Sequence, residues 1–269
     1  MSDRVACTGF IKVGSLKVEI YRDRKAAGEA AARDAAAELG ALSRANREDI
    51  GVIFATGASQ FDTLLALTAT PGLPWERIIG FHLDEYENMP PDHPASFRHY
   101  LRERLTSRVR MKEFHEVDGT APDFPQFCAD YAALLRAAIP GLCLLGIGEN
   151  GHLAFNDPPV ADFNDPLDMK IVTLDTECKQ QQFGEGWFES LEDVPDRAAT
   201  LTIPALMRVP KLIASVPGPR KAHIVYRALT EPISTACPAT ILRIHPDCTV
   251  YLDEDSAREL RGSSLAITA

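Results

Sequence analysis

The chain has 269 residues and a formal net charge of −10, from 28 Lys and Arg against 38 Asp and Glu. This acidic balance argues against non-specific binding to nucleic acid or to an anionic membrane, whereas a small anionic ligand needs only a local positive potential. Hydrophobic residues make up 45% of the chain, as in soluble globular proteins. No apolar run is long enough for a transmembrane helix, and the N-terminus lacks the apolar core of a signal peptide.

Length and composition predict one domain over residues 1–269, with loose termini at 1–15 and 261–269. The cysteines are Cys7, Cys128, Cys143, Cys178, Cys237 and Cys248. No two of them form a C-x-x-C pair, so neither a disulfide scaffold nor a zinc knuckle is indicated, and reduced thiols suit a cytoplasmic protein. The pair His93 and His99 matches no zinc motif, so we expect no metal.

Strand-like and helix-like segments alternate along the chain. In chain order the prediction is strand 16–21, helix 24–46, strand 50–55, helix from 60 to about 70, strand 77–83, helix 95–105, strand 113–117, helix 124–139, strand 142–147, strand 170–174, helix 199–209, strand 211–216, helix 219–229 and strand 249–252. This order predicts an α/β fold with a doubly wound, mainly parallel sheet and helices on both faces (Rossmann-like). Residues 148–168 are too long for an ordinary connection, which indicates a functional or a disordered loop.

Ligands of doubly wound sheets bind at the carboxyl ends of the strands, near a switch in strand order. The turn after the strand 50–55 consists of Thr56, Gly57, Ala58 and Ser59. Its backbone amides and the helix that follows would bind an anion, and Ser59 is a candidate cap for that helix. A plain strand-to-helix turn is equally consistent with these residues.

A second candidate anion site follows the strand 211–216, where Arg220 and Lys221 stand at the start of a predicted helix. Positive side chains at that end oppose the helix dipole, and a bound anion would relieve the conflict. The alternative is a solvated pair of cations on the first helical turn.

Asp84 and Glu85 follow the strand 77–83, where adjacent carboxylates are costly unless they are solvated or paired. One of the two is a candidate general base, because burial and neighbouring charges can adjust the pKa of a carboxyl group. A solvated acidic turn or a metal site is the alternative.

The loop after the strand 142–147 carries a histidine, His152, between glycines and acidic residues. Gly148 and Gly151 indicate a constrained backbone, and Glu149 or Asp157 could orient the imidazole ring, which exchanges protons near neutral pH. A purely structural histidine is the alternative. Together, the anion-binding turn, the cationic pair, the carboxylate and the histidine fit a phosphorylated small molecule that undergoes proton transfer.

Three stretches in the same order resemble the glucosamine-6-phosphate deaminase (isomerase) family, which is related in fold to 6-phosphogluconolactonase. They are FHLDEY at 81–86 with HPASF at 93–97, GENGHLAFNDP at 148–158, and IHP at 244–246 with the acidic pair at 253–254. The resemblance runs from about Lys17 to Leu260. It implies a doubly wound α/β fold and conversion of glucosamine 6-phosphate and water to fructose 6-phosphate and ammonia, without a cofactor.

The resemblance also implies residue roles. Asp84 resembles the base that moves a proton between C2 and C1, His152 resembles the group that opens the sugar ring, and Asp157 stands where the family usually has a supporting Glu. The implied catalytic residues are Asp84, Asn150, His152 and Asp157. The implied substrate- and phosphate-binding residues are Thr56, Gly57, Ala58, Ser59, Glu85, Gly151, Gln182, Arg220 and Lys221.

The chain departs from the family pattern at several of these positions. Asn150 stands where some members have Asp, and the shorter Asp157 leaves open whether it reaches His152 directly or through a water. Gln182 replaces a phosphate-binding Arg of the better-known members, with Lys179 or Arg220 as candidate substitutes for its charge. The amino-sugar phosphate that the protein uses therefore stays open.

Residues 160–169, where allosteric members carry basic residues for a second sugar phosphate, contain no Lys or Arg, which predicts that this activator site is absent. A lactonase of the 6-phosphogluconolactonase type is a rival, but Tyr86 and the FNDP run at 155–158 favour the deaminase. A non-catalytic sugar-phosphate sensor would need a DNA-binding module, and only residues 1–15 precede the first predicted strand. The family includes different assemblies, so a homo-oligomer is possible.

Overall fold

The computed structural model describes residues 6–45, 49–184, 186–263 and 265–268. Its strands are β1 (Gly9–Val13), β2 (Leu16–Tyr21), β3 (Ile50–Phe54), β4 (Ile78–His82), β5 (Asp84–Tyr86), β6 (Glu113–His115), β7 (Leu142–Leu145), β8 (Met169–Thr173), β9 (Arg197–Leu201), β10 (Lys211–Ser215) and β11 (Cys248–Asp253). Its α-helices are α1 (Arg24–Arg44), α2 (Phe61–Thr68), α3 (Phe97–Leu101), α4 (Phe124–Ala138), α5 (Thr176–Gly184), α6 (Ile203–Met207) and α7 (Ala222–Thr230).

The main sheet has the strand order β1-β2-β11-β10-β7-β3-β4-β6. All of its neighbouring strands run parallel except the antiparallel pair β1 and β2. The chain leaves β3 toward β4 and β6, then returns to the other side of β3 with β7, β10 and β11. The prediction of a doubly wound, mainly parallel sheet is confirmed, and its switch point lies between β3 and β7.

Helices cover both faces of this sheet because its central strands are buried on both sides. One face packs against α1, α2 and α3, and the other against α4, α6 and α7. The Asp23 side chain caps α1 by accepting a hydrogen bond from the Ala26 backbone N–H at 2.8 Å. The predicted end of this helix at Asn46 lies outside the described residues.

The two helices α1 and α2 approach each other closely at Gly28. A Cβ atom at this position would lie 2.5 Å from Cβ of Asp62, at the start of α2. Only glycine allows this approach, so the N-terminal turn of α1 is held against the beginning of α2.

A second, three-stranded sheet in the order β5-β9-β8 was not predicted. The predicted helix 199–209 is wrong in its first part, because Ala199 to Leu201 belong to β9, which pairs antiparallel with β5 and β8. Helix α6 begins only after Thr202, which caps it, and Pro204 occupies its first turn, where proline is tolerated. The strand pairings, which are long-range contacts, override the local helix signal here.

Parts of the two ends predicted as loose are paired with other backbone segments in the described structure. Residues Gly9–Val13 form β1, which pairs with β2 through a turn at Gly14. Phe10 exchanges backbone hydrogen bonds with Thr268, at 2.7 and 3.0 Å. Within the described ranges, no helix combines the length and the apolar character needed to cross a bilayer.

Candidate active site

The four central strands β10, β7, β3 and β4 end at one edge of the sheet, where the loops that follow them surround a cleft of about 300 Å³. The cleft therefore straddles the switch point, as the strand-end rule predicts. The sequence-predicted residues that line it are Thr56, Gly57, Ala58, Ser59, Asp84, His152, Gln182, Arg220 and Lys221. The predicted residues that do not line it are Glu85, Asn150, Gly151 and Asp157.

Two similar turns form one side of the cleft. Gly57 and Gly218 have φ angles of 89° and 100°, which glycine adopts without strain, and each is followed by a short 3₁₀ turn and then a helix. The Asp253 carboxylate accepts hydrogen bonds from the Gly218 backbone N–H at 3.0 Å. Lys221 Nζ donates to the Ile147 carbonyl at 2.7 Å, so its cation is held above the end of β7. Both turns direct the start of a helix at the cleft, which favours an anion there.

Ser59 does not cap α2, contrary to the expectation from the sequence. The cap position is occupied by Gln60, without a side-chain capping bond, because the 3₁₀ turn delays the start of the helix. The Ser59 hydroxyl instead accepts a hydrogen bond from Gln60 Nε2 at 3.0 Å, and the same nitrogen donates to the Leu145 carbonyl at 3.1 Å. These bonds tie the turn to the end of β7.

His152 is oriented by two neighbours from its own loop. Its Nδ1 lies 2.9 Å from Oδ1 of Asp157, so the contact is direct and needs no bridging water. Asn150 donates to the same Asp157 oxygen at 2.7 Å and accepts from the His152 backbone N–H at 3.0 Å. Burial raises the pKa of Asp157, but the charge of His152 and the hydrogen bonds from His152 and Asn150 outweigh it, so that the pKa lies below its usual range.

The glycines of this loop make room for the histidine. A Cβ atom at Gly148 would lie 2.2 Å from ring atoms of His152, so the imidazole packs directly on the Gly148 backbone. Gly151 has a φ angle of 92°, and a Cβ there would lie 2.8 Å from Cys237 Sγ. Gly151 thus shapes the loop backbone and does not face the cleft.

Asp84 and Glu85 point to opposite sides because they are adjacent residues of the strand β5. Asp84 lines the cleft with 7% of its surface exposed. Burial, followed by the charges of Glu85 and Asp157, raises the pKa of Asp84 well above its usual range. This carboxyl group is thus suited to both accepting a proton and returning it.

Glu85 is fully buried on the other side of β5, so the structure does not support its predicted role as a substrate-binding residue. Its Oε2 accepts hydrogen bonds from Ser96 Oγ at 2.8 Å and from the Arg98 backbone N–H at 3.0 Å. Burial raises the pKa of Glu85 to about 7, although these hydrogen bonds oppose the shift. Its carboxyl group anchors the segment that follows β5 and sits behind Asp84.

Gln182 reaches the cleft from α5, a helix that the sequence pattern did not predict. Its Oε1 accepts a hydrogen bond from the Tyr86 hydroxyl at 2.7 Å. The neighbouring Gln181 also lines the cleft and accepts from the Glu149 backbone N–H at 2.9 Å. Lys179 pairs with Asp196 and does not line the cleft, so it does not replace the charge missing at position 182.

Sequence reasoning missed several lining residues. Phe97 and Phe155, whose rings stack 5.7 Å apart, form an apolar wall. Arg24, at the first turn of α1, reaches the cleft from a helix far away in the sequence. Phe97 and Phe155 belong to the stretches that carry the family resemblance, although no role was predicted for them. No local motif marks Arg24, which only the packing of α1 on α2 brings here.

The fold and the site define a doubly wound α/β protein in which a carboxylate and a His–Asp pair lie beside two glycine turns that are suited to binding an anion. Residues 22–251 match the family model of glucosamine-6-phosphate isomerases and 6-phosphogluconolactonases, and the chain belongs to this family.

Two relatives, the glucosamine-6-phosphate deaminases of Bacillus thuringiensis (strain Al Hakam) and Bacillus cereus (strain AH820), are each 35% identical over 180 residues, 67% of this chain and 67% of theirs. The solved structure of a monomeric glucosamine-6-phosphate deaminase superposes with a TM-score of 0.82 and 27% identity, covering 90% of this chain and 99% of that one. A 6-phosphogluconolactonase from Thermotoga maritima shares the fold, with a TM-score of 0.71 and 21% identity over 88% of this chain and 98% of its own.

Proposed function

We propose that this protein is an enzyme that converts glucosamine 6-phosphate and water to fructose 6-phosphate and ammonia. The observation that carries the proposal is that Asp84 and His152, the latter paired with Asp157, face one cleft bounded by two glycine turns and Lys221. A carboxylate, an imidazole and an anion-binding edge are the groups that this reaction needs.

Phosphate binding and ring opening come first. The turns at Gly57–Ser59 and Gly218–Lys221 hold the phosphate group, and this remote binding orients the sugar. Because Nδ1 of His152 is engaged by Asp157, Nε2 is the ring nitrogen available to the substrate. It takes the proton of the C1 hydroxyl group and delivers it to the ring oxygen as the C1–O5 bond breaks, which yields the open-chain aldehyde.

Proton transfer between carbons follows. Asp84 takes the proton from C2 of the open-chain aldose and returns it to C1, while a proton passes from the amine nitrogen to the C1 oxygen. The 2-amine thereby becomes a 2-imine and the aldehyde becomes a primary alcohol. Water then adds to C2, and ammonia leaves from the same carbon to give the ketose. The raised pKa of Asp84 supports this role, because the same group must accept and donate a proton in one turnover.

The Asp84 carboxylate also argues for deamination over the lactonase alternative. Hydrolysis of a lactone moves no carbon-bound proton, whereas the proposed isomerisation needs a group that takes a proton from C2 and returns it to C1, and Asp84 faces the cleft as a carboxyl group of raised pKa. A non-catalytic sensor would likewise have no need for the directed His152–Asp157 contact.

The test is to measure ammonia and fructose 6-phosphate released from glucosamine 6-phosphate, with 6-phosphogluconolactone assayed in parallel. We expect both products in equal amounts, and a loss of about 10²- to 10⁴-fold in kcat for Asp84→Asn. Hydrolysis of the lactone without ammonia release would support the lactonase. Binding of the sugar phosphate without turnover of either substrate would support the sensor.

We also propose a cytoplasmic location, which the six free cysteines support, five of them buried. A homo-oligomer stays a prediction, and the solved deaminase that the chain resembles is described as monomeric. Sedimentation velocity of the purified protein decides between the two states.

A further inference from the structure

The phosphate end of the cleft lacks the arginine that the resemblance places at position 182. Gln182 is neutral, and its Oε1 is already engaged by the Tyr86 hydroxyl. Of the two arginines that line the cleft, Arg220 is paired through Nε with Glu149, on the loop that carries His152, at 2.8 Å. The other is Arg24, which lies beside the Gly57–Ser59 turn itself.

Arg24 is held at this turn by two directed contacts. Its Nε donates to Asp62 Oδ2 at 2.7 Å, and one terminal nitrogen, Nη2, donates to the Ala58 carbonyl at 2.8 Å. The close approach of α1 and α2 at Gly28, one helical turn further on, brings Arg24 to this place. The guanidinium group therefore reaches the phosphate turn from outside the loops that form the rest of the site.

These contacts leave part of the guanidinium group available. A guanidinium carries five N–H donors, and Nε and Nη2 account for the contacts with Asp62 and Ala58. The Arg24 side chain is 48% exposed and lines the cleft. Arg24 also offsets the negative charge of Asp62, which stands in the first turn of α2 and would otherwise repel an anion at this helix end.

We propose that Arg24 contacts the phosphate group of the substrate and supplies the charge that Gln182 lacks. The phosphate would lie at the Gly57–Ser59 turn, within reach of Arg24, in the cleft that Lys221 also lines. The proposal rests on the proposed function for the identity of the substrate. The contact itself requires only that the ligand carries a phosphate group.

The experiment compares Arg24→Gln with two matched variants of the full chain. Lys25→Gln removes the same charge from the next residue of α1, whose side chain is 75% exposed and does not line the cleft. Asp62→Asn breaks the same ion pair while it leaves the Arg24 cation in place. Two quantities are measured for each protein: the Kd of inorganic phosphate by titration calorimetry, and KM and kcat for glucosamine 6-phosphate.

We expect Arg24→Gln to raise both the phosphate Kd and KM by about 10- to 100-fold, because a charge-assisted hydrogen bond to phosphate is lost. Lys25→Gln should change neither by more than about twofold, since an exposed charge is screened. Asp62→Asn should leave both unchanged or lower them, because a negative charge near the anion disappears. Equal losses in Arg24→Gln and Asp62→Asn, accompanied by equal losses of thermal stability, would overturn the proposal, since Arg24 would then act only through its structural ion pair with Asp62.

An unchanged phosphate Kd in Arg24→Gln would also overturn it. The failure of the proposed function looks different: the wild type would release no ammonia, yet phosphate binding would still depend on Arg24. Thermal unfolding of each variant shows whether it is folded. If Arg24→Gln is destabilised, the phosphate Kd of Asp62→Asn still tests whether Arg24 acts only through its ion pair.

Discussion

Nδ1 of His152 and Oδ1 of Asp157 lie 2.9 Å apart, although aspartate is one methylene shorter than the glutamate expected at this position. Asn150 contacts the same carboxylate oxygen, so the loop fixes the direction and the tautomer of the imidazole ring. The shorter side chain of Asp157 therefore still contacts His152 directly.

Asp157→Asn should lower kcat by about 10²- to 10⁴-fold, because the amide carries no charge to stabilise the protonated ring during ring opening. Asp157→Glu, which restores the usual residue of the family, should keep far more activity. Both are measured as ammonia release at saturating glucosamine 6-phosphate. A kcat of Asp157→Asn within twofold of the wild type would contradict the orienting role.

The pH profile should report the raised pKa of Asp84. The base acts when it is deprotonated, so kcat/KM falls as the pH drops through its pKa. Because burial and the charges of Glu85 and Asp157 raise that pKa, the acid limb should lie well above the value of about 3.9 for an ordinary aspartate. An acid limb near pH 4 in the wild type would refute this assignment.

Gly148→Ala should lower kcat/KM by about 10²-fold, because the added methyl group would overlap the His152 ring and displace it. Gly40→Ala is the matched control: it lies within α1, where the new Cβ meets only the flexible end of Arg44. That substitution should leave activity unchanged and stabilise the helix by about 1 kcal/mol. Activity assays and thermal unfolding separate a loss of activity from a change in stability. Equal kcat/KM values for Gly148→Ala and Gly40→Ala would show that the His152 ring tolerates displacement.

We expect no activation by a second sugar phosphate. The segment 160–169 carries acidic side chains that are already paired: Asp165 with Lys170 at 2.8 Å, and Asp168 with Arg136 and Arg208. No cation of the segment itself is available to bind an anion. Initial rates against glucosamine 6-phosphate should be hyperbolic with or without N-acetylglucosamine 6-phosphate. A sigmoidal curve that this compound makes steeper or shifts would show that an activator site exists elsewhere.

Local sequence determined the main elements of this protein. The central strands β3, β4, β7 and β10 are short apolar runs, which is the pattern of strands buried on both faces. The alanine-rich composition of α1 and the cap at Asp23 are equally local signals. Since parallel strands place their carboxyl ends at one edge, the order of elements also predicted that Asp84, His152 and Lys221 would meet there.

Tertiary structure decided the features that depend on long-range pairing. The sheet of β5, β9 and β8 joins segments that are far apart in sequence, and this pairing turns Asp84 toward the cleft and Glu85 away from it. Arg24 reaches the Gly57–Ser59 turn only because Gly28 allows α1 to pack closely on α2. Neighbouring residues in the sequence set the helix or strand propensity of a segment and the periodicity of its apolar positions. The packing of the whole chain sets which side a residue faces and which distant groups it contacts.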